Sequence, residues 1–214
     1  MEKHPTIKTP YFLPVKTLLV LVIILATTAL VTSSFKNSND TSDSKFGNIN
    51  KDSIASVKAF MQVYKVLMSP RCMNCHPSGN IPLQGDDSHL HTMSPKRGED
   101  GKGLYAMKCT NCHQPENTAG LHTPPGNPKW QLPPANMKMV FEGKTPHELA
   151  IQIMDYTKNG HKNKEQLLEH ARDTLVKAGW TMGGDRKAPP LSYTAFLNVW
   201  DTWINKGGFA PGSR

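Results

Sequence analysis

Sustained strand-like alternation, internal repeats and dense cysteine are all missing from this 214-residue chain. No segment after Asp52 keeps the period-two pattern of a half-buried strand. Nothing recurs at a period of roughly 20 to 50 residues, which excludes a solenoid. Four cysteines are too few for a disulfide-stapled scaffold, so their spacing has to be read for metal or cofactor chemistry. Hydrophobic residues make up only 37%, many of them in one N-terminal run, and 17 prolines and 16 glycines interrupt the rest. That composition excludes a polytopic membrane protein and fits one modest folded domain. Acidic residues are also in deficit, 17 against 25 basic, for a net charge of +8. The excess is spread along the chain with no dense basic stripe interleaved with aromatics, so nucleic acid is not an expected partner.

The apolar run comes first. Lys3, Lys8 and Lys16 precede an uncharged stretch from Thr17 to Phe35, so residues 1–35 read as a signal peptide or a single transmembrane anchor. The stretch is about long enough to span a bilayer, and the small residues near Ala29 and Ser33 make a poor cleavage site, which favours an uncleaved anchor. The lysines on its N-terminal side place the remainder outside the cytoplasmic membrane. The expected location is a single-pass protein of the cell membrane with a periplasmic domain; the alternative is an exported soluble form after cleavage. Residues 36–51, KNSNDTSDSKFGNINK, are polar enough to act as a flexible linker spanning roughly 20–25 Å.

From Asp52 onward the signals are helical. Ile54, Val57, Phe60, Met61, Tyr64 and Leu67 fall at helical spacing behind an Asp52/Ser53 cap, with Pro70 as the stop. A short helix is expected over 102–108. Thr145-Pro146-His147-Glu148 has the capping-box pattern and Gly160 follows as a stop. Asn163 opens a segment closed by Gly179, and Ser192 opens one with Phe196, Leu197, Trp200, Trp203 and Ile204, closed by Gly207. Between them lie Pro/Gly-rich loops, 77–101 and 114–143, whose length is hard to reconcile with a compact domain unless they wrap something.

Cys72-Met73-Asn74-Cys75-His76 and Cys109-Thr110-Asn111-Cys112-His113 are both C-x-x-C-H, the attachment motif for c-type haem. Two thiols three positions apart suit thioether bonds to one haem, and the adjacent histidine suits the iron. A four-cysteine zinc site is the main rival. It is weakened because a histidine follows both pairs in a chain with only nine, and because an oxidising compartment disfavours free thiolates. The expected cofactors are therefore two covalently bound c-type haems, with Cys72, Cys75, Cys109 and Cys112 as attachment points and His76 and His113 as proximal ligands.

The run GKGLYAMKCTNCH ending at His113, with the Trp-rich segment 192–205, resembles the cytochrome c domain over residues 98–209. That resemblance implies an all-α, cytochrome c-like domain with long haem-wrapping loops behind the N-terminal helix. It also implies that Leu104 and Tyr105 pack on Phe196, Trp200 and Trp203. Only 20 residues, 77–96, lie between His76 and Arg97, too few for a second complete domain, so 52–97 is expected to hold the first haem and 98–214 the second. The segments HLHTM and RGEDGKG, PPGNPKWQLPPANM, and 179–190 are similar to di-haem cytochromes associated with isoquinoline 1-oxidoreductase-type molybdenum hydroxylases.

For the sixth iron ligand of the first haem, the loop offers His89, His91 and Met93, with His91 preferred. For the second, His170, Met137 and Met182 stand in that order, Met137 and Met139 following the stiff Pro133-Pro134 pair. Met154 lies on an apolar stripe and reads as core, and His122 and His161 sit in loops as solvated residues. Arg97, Arg172 and Arg186 are candidates to pair with haem propionates. The functional expectation is a membrane-tethered electron carrier between an upstream dehydrogenase, for which the resemblance implies a molybdenum hydroxylase, and an oxidase or soluble cytochrome. The alternative is a peroxidase-like haem enzyme or a haem-based sensor with one open iron site.

Overall fold

The computed structural model describes residues 40–212, with side chains from Asn50 onward. The chain divides into two units, residues 1–50 and 51–214, and the second contains both cysteine motifs. The expected export segment, 1–35, lies outside the described residues; among those described, no helix is long and apolar enough to cross a membrane.

Helix α1 (Asp40–Leu67) begins well before the Asp52/Ser53 cap, so residues 40–51 extend a helix where a flexible linker was expected. Ser, Asn and Asp each cost only a few tenths of a kcal/mol in a helix, and extension of a nucleated helix tolerates that. Asp52 instead meets Lys206 at 2.7 Å, near the C-terminal end of the last helix. After Ser69, Pro70 opens the short helix α2 (Pro70–Met73), which carries Cys72. Thr145 and Asn163 form reciprocal capping boxes with Glu148 and Gln166, starting α3 (Pro146–Met154) and α4 (Lys164–His170). The element expected to continue to Gly179 breaks after His170, and Asp173 recaps it as α5 (Thr174–Ala178) by accepting from the Leu175 N–H. Ser192 caps α6 (Tyr193–Asn205) by accepting from the Ala195 N–H.

The core joins the two ends of this order. Phe60, Val63 and Val66 on α1 are fully buried together with Trp203 on α6, and Leu149, Ala150, Ile153 and Leu167 are buried in the same cluster. The Phe60 and Trp203 rings sit 4.5 Å apart. Burying side chains of this size contributes about 1.5–3 kcal/mol each. Buried Ser56 donates to the Trp203 carbonyl at 3.0 Å and accepts from the Phe209 N–H at 3.0 Å, which fixes the axial position of α1 on α6.

This corrects the expected packing. Tyr105 is 90% exposed and stands at φ +48° in a 3-10 turn, Tyr105–Met107, rather than in a helix against α6. Gly101 and Gly103 both adopt positive φ, and a Cβ on either would run into backbone, of Leu132 and Met107 respectively. The segment is bent too tightly to continue as a helix. Instead, α1 fills the place on α6, and no residue from 74 to 138 belongs to the core cluster. The second motif thus rides on an insertion, roughly 77–138, with its own small supports. These include an antiparallel pair, β1 (Leu83–Gln84) with β2 (His89–Leu90), in register Leu83↔Leu90. Arg97, 2% exposed, ties the two ends of the insertion by donating to the carbonyls of Pro133 at 2.6 Å and Gly79 at 3.2 Å.

Trp203→Ala should lower stability by about 3–5 kcal/mol. Tyr105→Ala should stay within about 0.5 kcal/mol. Urea unfolding of both variants measures the contrast, and a large loss at Tyr105 would restore the expected packing.

Candidate functional site

Each C-x-x-C-H forms one tight helical turn. In the first, Cys75 N–H donates to Cys72 O at 3.2 Å and His76 N–H to Met73 O at 2.9 Å; in the second, Cys112 and His113 both donate to Cys109 O, at 3.2 and 2.9 Å. The turn gathers two thiols and delivers the histidine at its end.

Both histidines are then oriented by the same device. His76 Nδ1 lies 2.7 Å from the Met139 carbonyl, and its ring stacks on Phe141 at 3.9 Å with the planes 8° apart. His113 Nδ1 lies 2.7 Å from the Pro125 carbonyl, and its ring stacks on Trp130 at 4.2 Å, 7° from parallel. A carbonyl only accepts, so Nδ1 carries the proton and Nε2 keeps a lone pair for a metal. Burial reinforces the neutral form, pushing His76 down to about 4 and lowering His113 as well, against the opposing pull of each carbonyl. Burial also pushes the Cys72 thiol up to about 12 and Cys75 up to about 11.

Each motif opens on a cavity of ligand size. The first, about 520 Å³, is walled by Cys72, Cys75 and His76, with His170 and Met137 also on its surface and Leu167, Phe196 and Trp200 as apolar lining. The second, about 320 Å³, is walled by Cys109, Cys112 and His113, with His91, Met93 and His122. The His91 and His113 rings face each other with centroids 6.4 Å apart and planes at 68°. Two imidazoles bound on opposite sides of one metal, with metal–nitrogen bonds of about 2.0–2.1 Å, place their centroids about 6 Å apart. The His91–His113 centroid separation is of that order. His91 Nδ1 accepts weakly from the Met93 N–H at 3.3 Å, a contact that ligation through Nε2 would replace, since Nδ1 would then hold the proton.

The pairing of motifs with sixth-ligand candidates is the reverse of the expectation. His91, assigned by sequence to the first haem, lies with His113. His170 and Met137, assigned to the second, line the cavity of His76, and the proximity of His170 contributes to the lowered His76 pKa. The physical reason is chain path: the loop after the first motif folds back along the second, while α4, packed in the α1/α6 core, presents His170 to the first. His170 opens on the cavity, and the surrounding wall still desolvates it enough to lower its own pKa.

Of the remaining candidates, Met182 lines both cavities and its sulfur lies 3.9 Å from Arg71 Nη1. Met139 serves through its carbonyl, held at φ +48°, and Met154 packs against the core as expected. His122 and His161 are exposed at positive φ and line the second and first cavity respectively. Arg172 is taken by Asp201, at 2.6 and 3.1 Å, and leaves the propionate candidates. Sequence reading missed the stacking rings Phe141 and Trp130, the two carbonyls, and Arg71; a tryptophan inside the proline-rich run 124–134 was the one available signal.

A zinc site would need its donors at one point, and among the described residues no three His, Cys, Asp or Glu side chains come together to hold a metal ion. Each motif separately supplies a thiol pair, an oriented imidazole and an adjoining cavity, the parts that a thioether-bound haem would require. Comparison with known proteins returns no match: no family model fits the chain, and no curated protein or solved structure is significantly similar to it.

In chain expressed without haem attachment, a thiolate-selective alkylating reagent at pH 8 should modify exposed Cys112 first. Cys72 and Cys75 should react more slowly, because desolvation holds their thiols protonated. Peptide mass mapping against time measures the order.

Proposed function

We propose that this chain is an exported di-haem c-type cytochrome, tethered to the membrane by its first 35 residues, that passes electrons from a dehydrogenase to an oxidase or a soluble cytochrome. The observation that carries this reading is the duplicated geometry. Two C-x-x-C-H turns each deliver an imidazole whose Nδ1 is fixed by a carbonyl and whose face rests on an aromatic ring, beside a separate cavity. A bound haem would supply a one-electron iron couple.

The chain's own residues do the remaining work. With haem bound, the thiols would tether it, His76 and His113 would present Nε2 to the iron, and His170 and His91, on the walls of the same cavities, would be the candidates for a second ligand at each. An iron with both axial positions filled exchanges electrons without binding substrate, which favours a carrier over a peroxidase or a gas sensor. Cys75, Trp130 and Met182 wall both cavities, so the two haems would be near neighbours. A cytochrome c-like all-α fold agrees with the helical core built from α1 and α6. The resemblance of residues 89–137 and 179–190 to cytochromes of molybdenum hydroxylases supports a dehydrogenase of that type as the donor.

The test is a pyridine haemochrome count with optical spectra after expression with haem maturation. Two haems per chain, both low-spin and inert to carbon monoxide, are expected. His170→Ala should then make the haem at Cys72/Cys75 bind carbon monoxide, and His91→Ala the one at Cys109/Cys112. A parent protein that binds the gas would shift the reading to catalysis or sensing, and an absence of covalent haem would overturn it.

A further inference from the structure

Arg71 stands between Pro70 and Cys72, so the first motif itself fixes where this side chain goes. Its side chain is 4% exposed, and it walls both cavities. Asp86, at the end of the β1–β2 hairpin, meets Arg71 Nη2 at 2.5 Å, and the Gly85 carbonyl accepts from the same nitrogen at 3.1 Å. Asp86 also accepts from the Lys187 N–H at 3.2 Å, is about one-third exposed, and walls neither cavity. The ion pair is thus a dipole with its positive end on the wall common to both sites. Arg71 Nε has no hydrogen-bond partner although it is buried, and Asn74 Oδ1 nearby in the same turn is equally unpartnered. Burying a cation this deeply is costly unless something offsets it, and Asp86, partly in water, offsets it incompletely.

We infer that Arg71 is a shared electrostatic positioning residue, a fixed cation that raises the electron affinity of both haem sites together, with Asp86 tempering it. This inference rests on the di-haem reading. Reduction adds one negative charge to a site, and a nearby buried cation favours that addition. Because Arg71 belongs to both walls, its effect reaches both sites, whereas Arg186 lines only the second cavity and is held by the carbonyls of Met182, Gly183 and Thr123. The pair also places opposite charges at unequal distances from the sites, so neutralising one partner should act against neutralising the other.

Spectroelectrochemical titration of the full-length, haem-loaded protein reads both midpoint potentials. Arg71→Met should lower the electron affinity of each haem about tenfold, the effect of one charge roughly 10 Å away in an effective dielectric of about 20. A tenfold change is about 59 mV for a one-electron couple. Asp86→Asn should raise both, Arg71→Lys should recover most of the parental values, and Arg186→Met should move only the second haem. Should Arg71→Met fail to fold, Asp86→Asn alone decides, since its carboxylate is partly exposed and its amide can still accept from Arg71. Shifts confined to one haem, or in the same direction for Arg71→Met and Asp86→Asn, would overturn the inference. A parent haem count other than two would overturn the functional reading itself, which the count separates from a failure of Arg71 alone.

Discussion

Phe60 pressed on Trp203 holds α1 against α6, and the rest of the described structure depends on that contact. Once α1 is fixed, the chain leaves it at Ser69, and α2 with the turn that follows carries Cys72 and Cys75 to the edge of the core. The residues that complete the first cavity, Leu167, His170, Phe196 and Trp200, come from helices packed in the same cluster. Core and first site are therefore one object, and the aromatic cluster that stabilises the fold is also the apolar wall of the cavity. Interiors packed to this density transmit displacements, so a shift of α1 would be felt at His76.

The second site has a different footing. Its supports are hydrogen bonds between loop carbonyls and amides, such as Leu132 N–H to Gly101 O at 2.9 Å and Ala135 N–H to Glu99 O at 3.0 Å, together with the Arg97 tie. Its histidine nevertheless receives the same two constraints as the first, a carbonyl at Nδ1 and an aromatic face. Two unlike scaffolds converge on that pair of contacts because an imidazole ligand needs both its tautomer and its ring plane set.

The local features of the fold were legible in the sequence. Thr145, Asn163 and Ser192 cap where the pattern placed them, because capping depends on residues three positions apart. Both C-x-x-C-H turns were visible for the same reason. The partition between them was not, since GKGLYAMK before Cys109 and the periodic run before Cys72 both read as helices, and only packing on α6 decides between them. The glycines at 101 and 103 held the answer, but as close approaches to Leu132 and Met107 that no spacing reveals. The exchange of His91 and His170 was equally hidden, being a matter of chain path over long separations. Met139 and Pro125 act through backbone carbonyls, which leave no mark in residue type.

Arg97, bound to the carbonyls of Gly79 and Pro133, clamps the neck of a loop whose interior contributes nothing to the α1/α6 cluster. A segment closed at its neck can change length at small thermodynamic expense, about 0.6 kcal/mol for each doubling. Stretches of its rim that touch nothing outside the segment can therefore vary in length to suit a different docking surface, while Asp86, Asn117 and Asn127, bonded to Arg71, Thr181 and Thr174, keep the segment on the helical body.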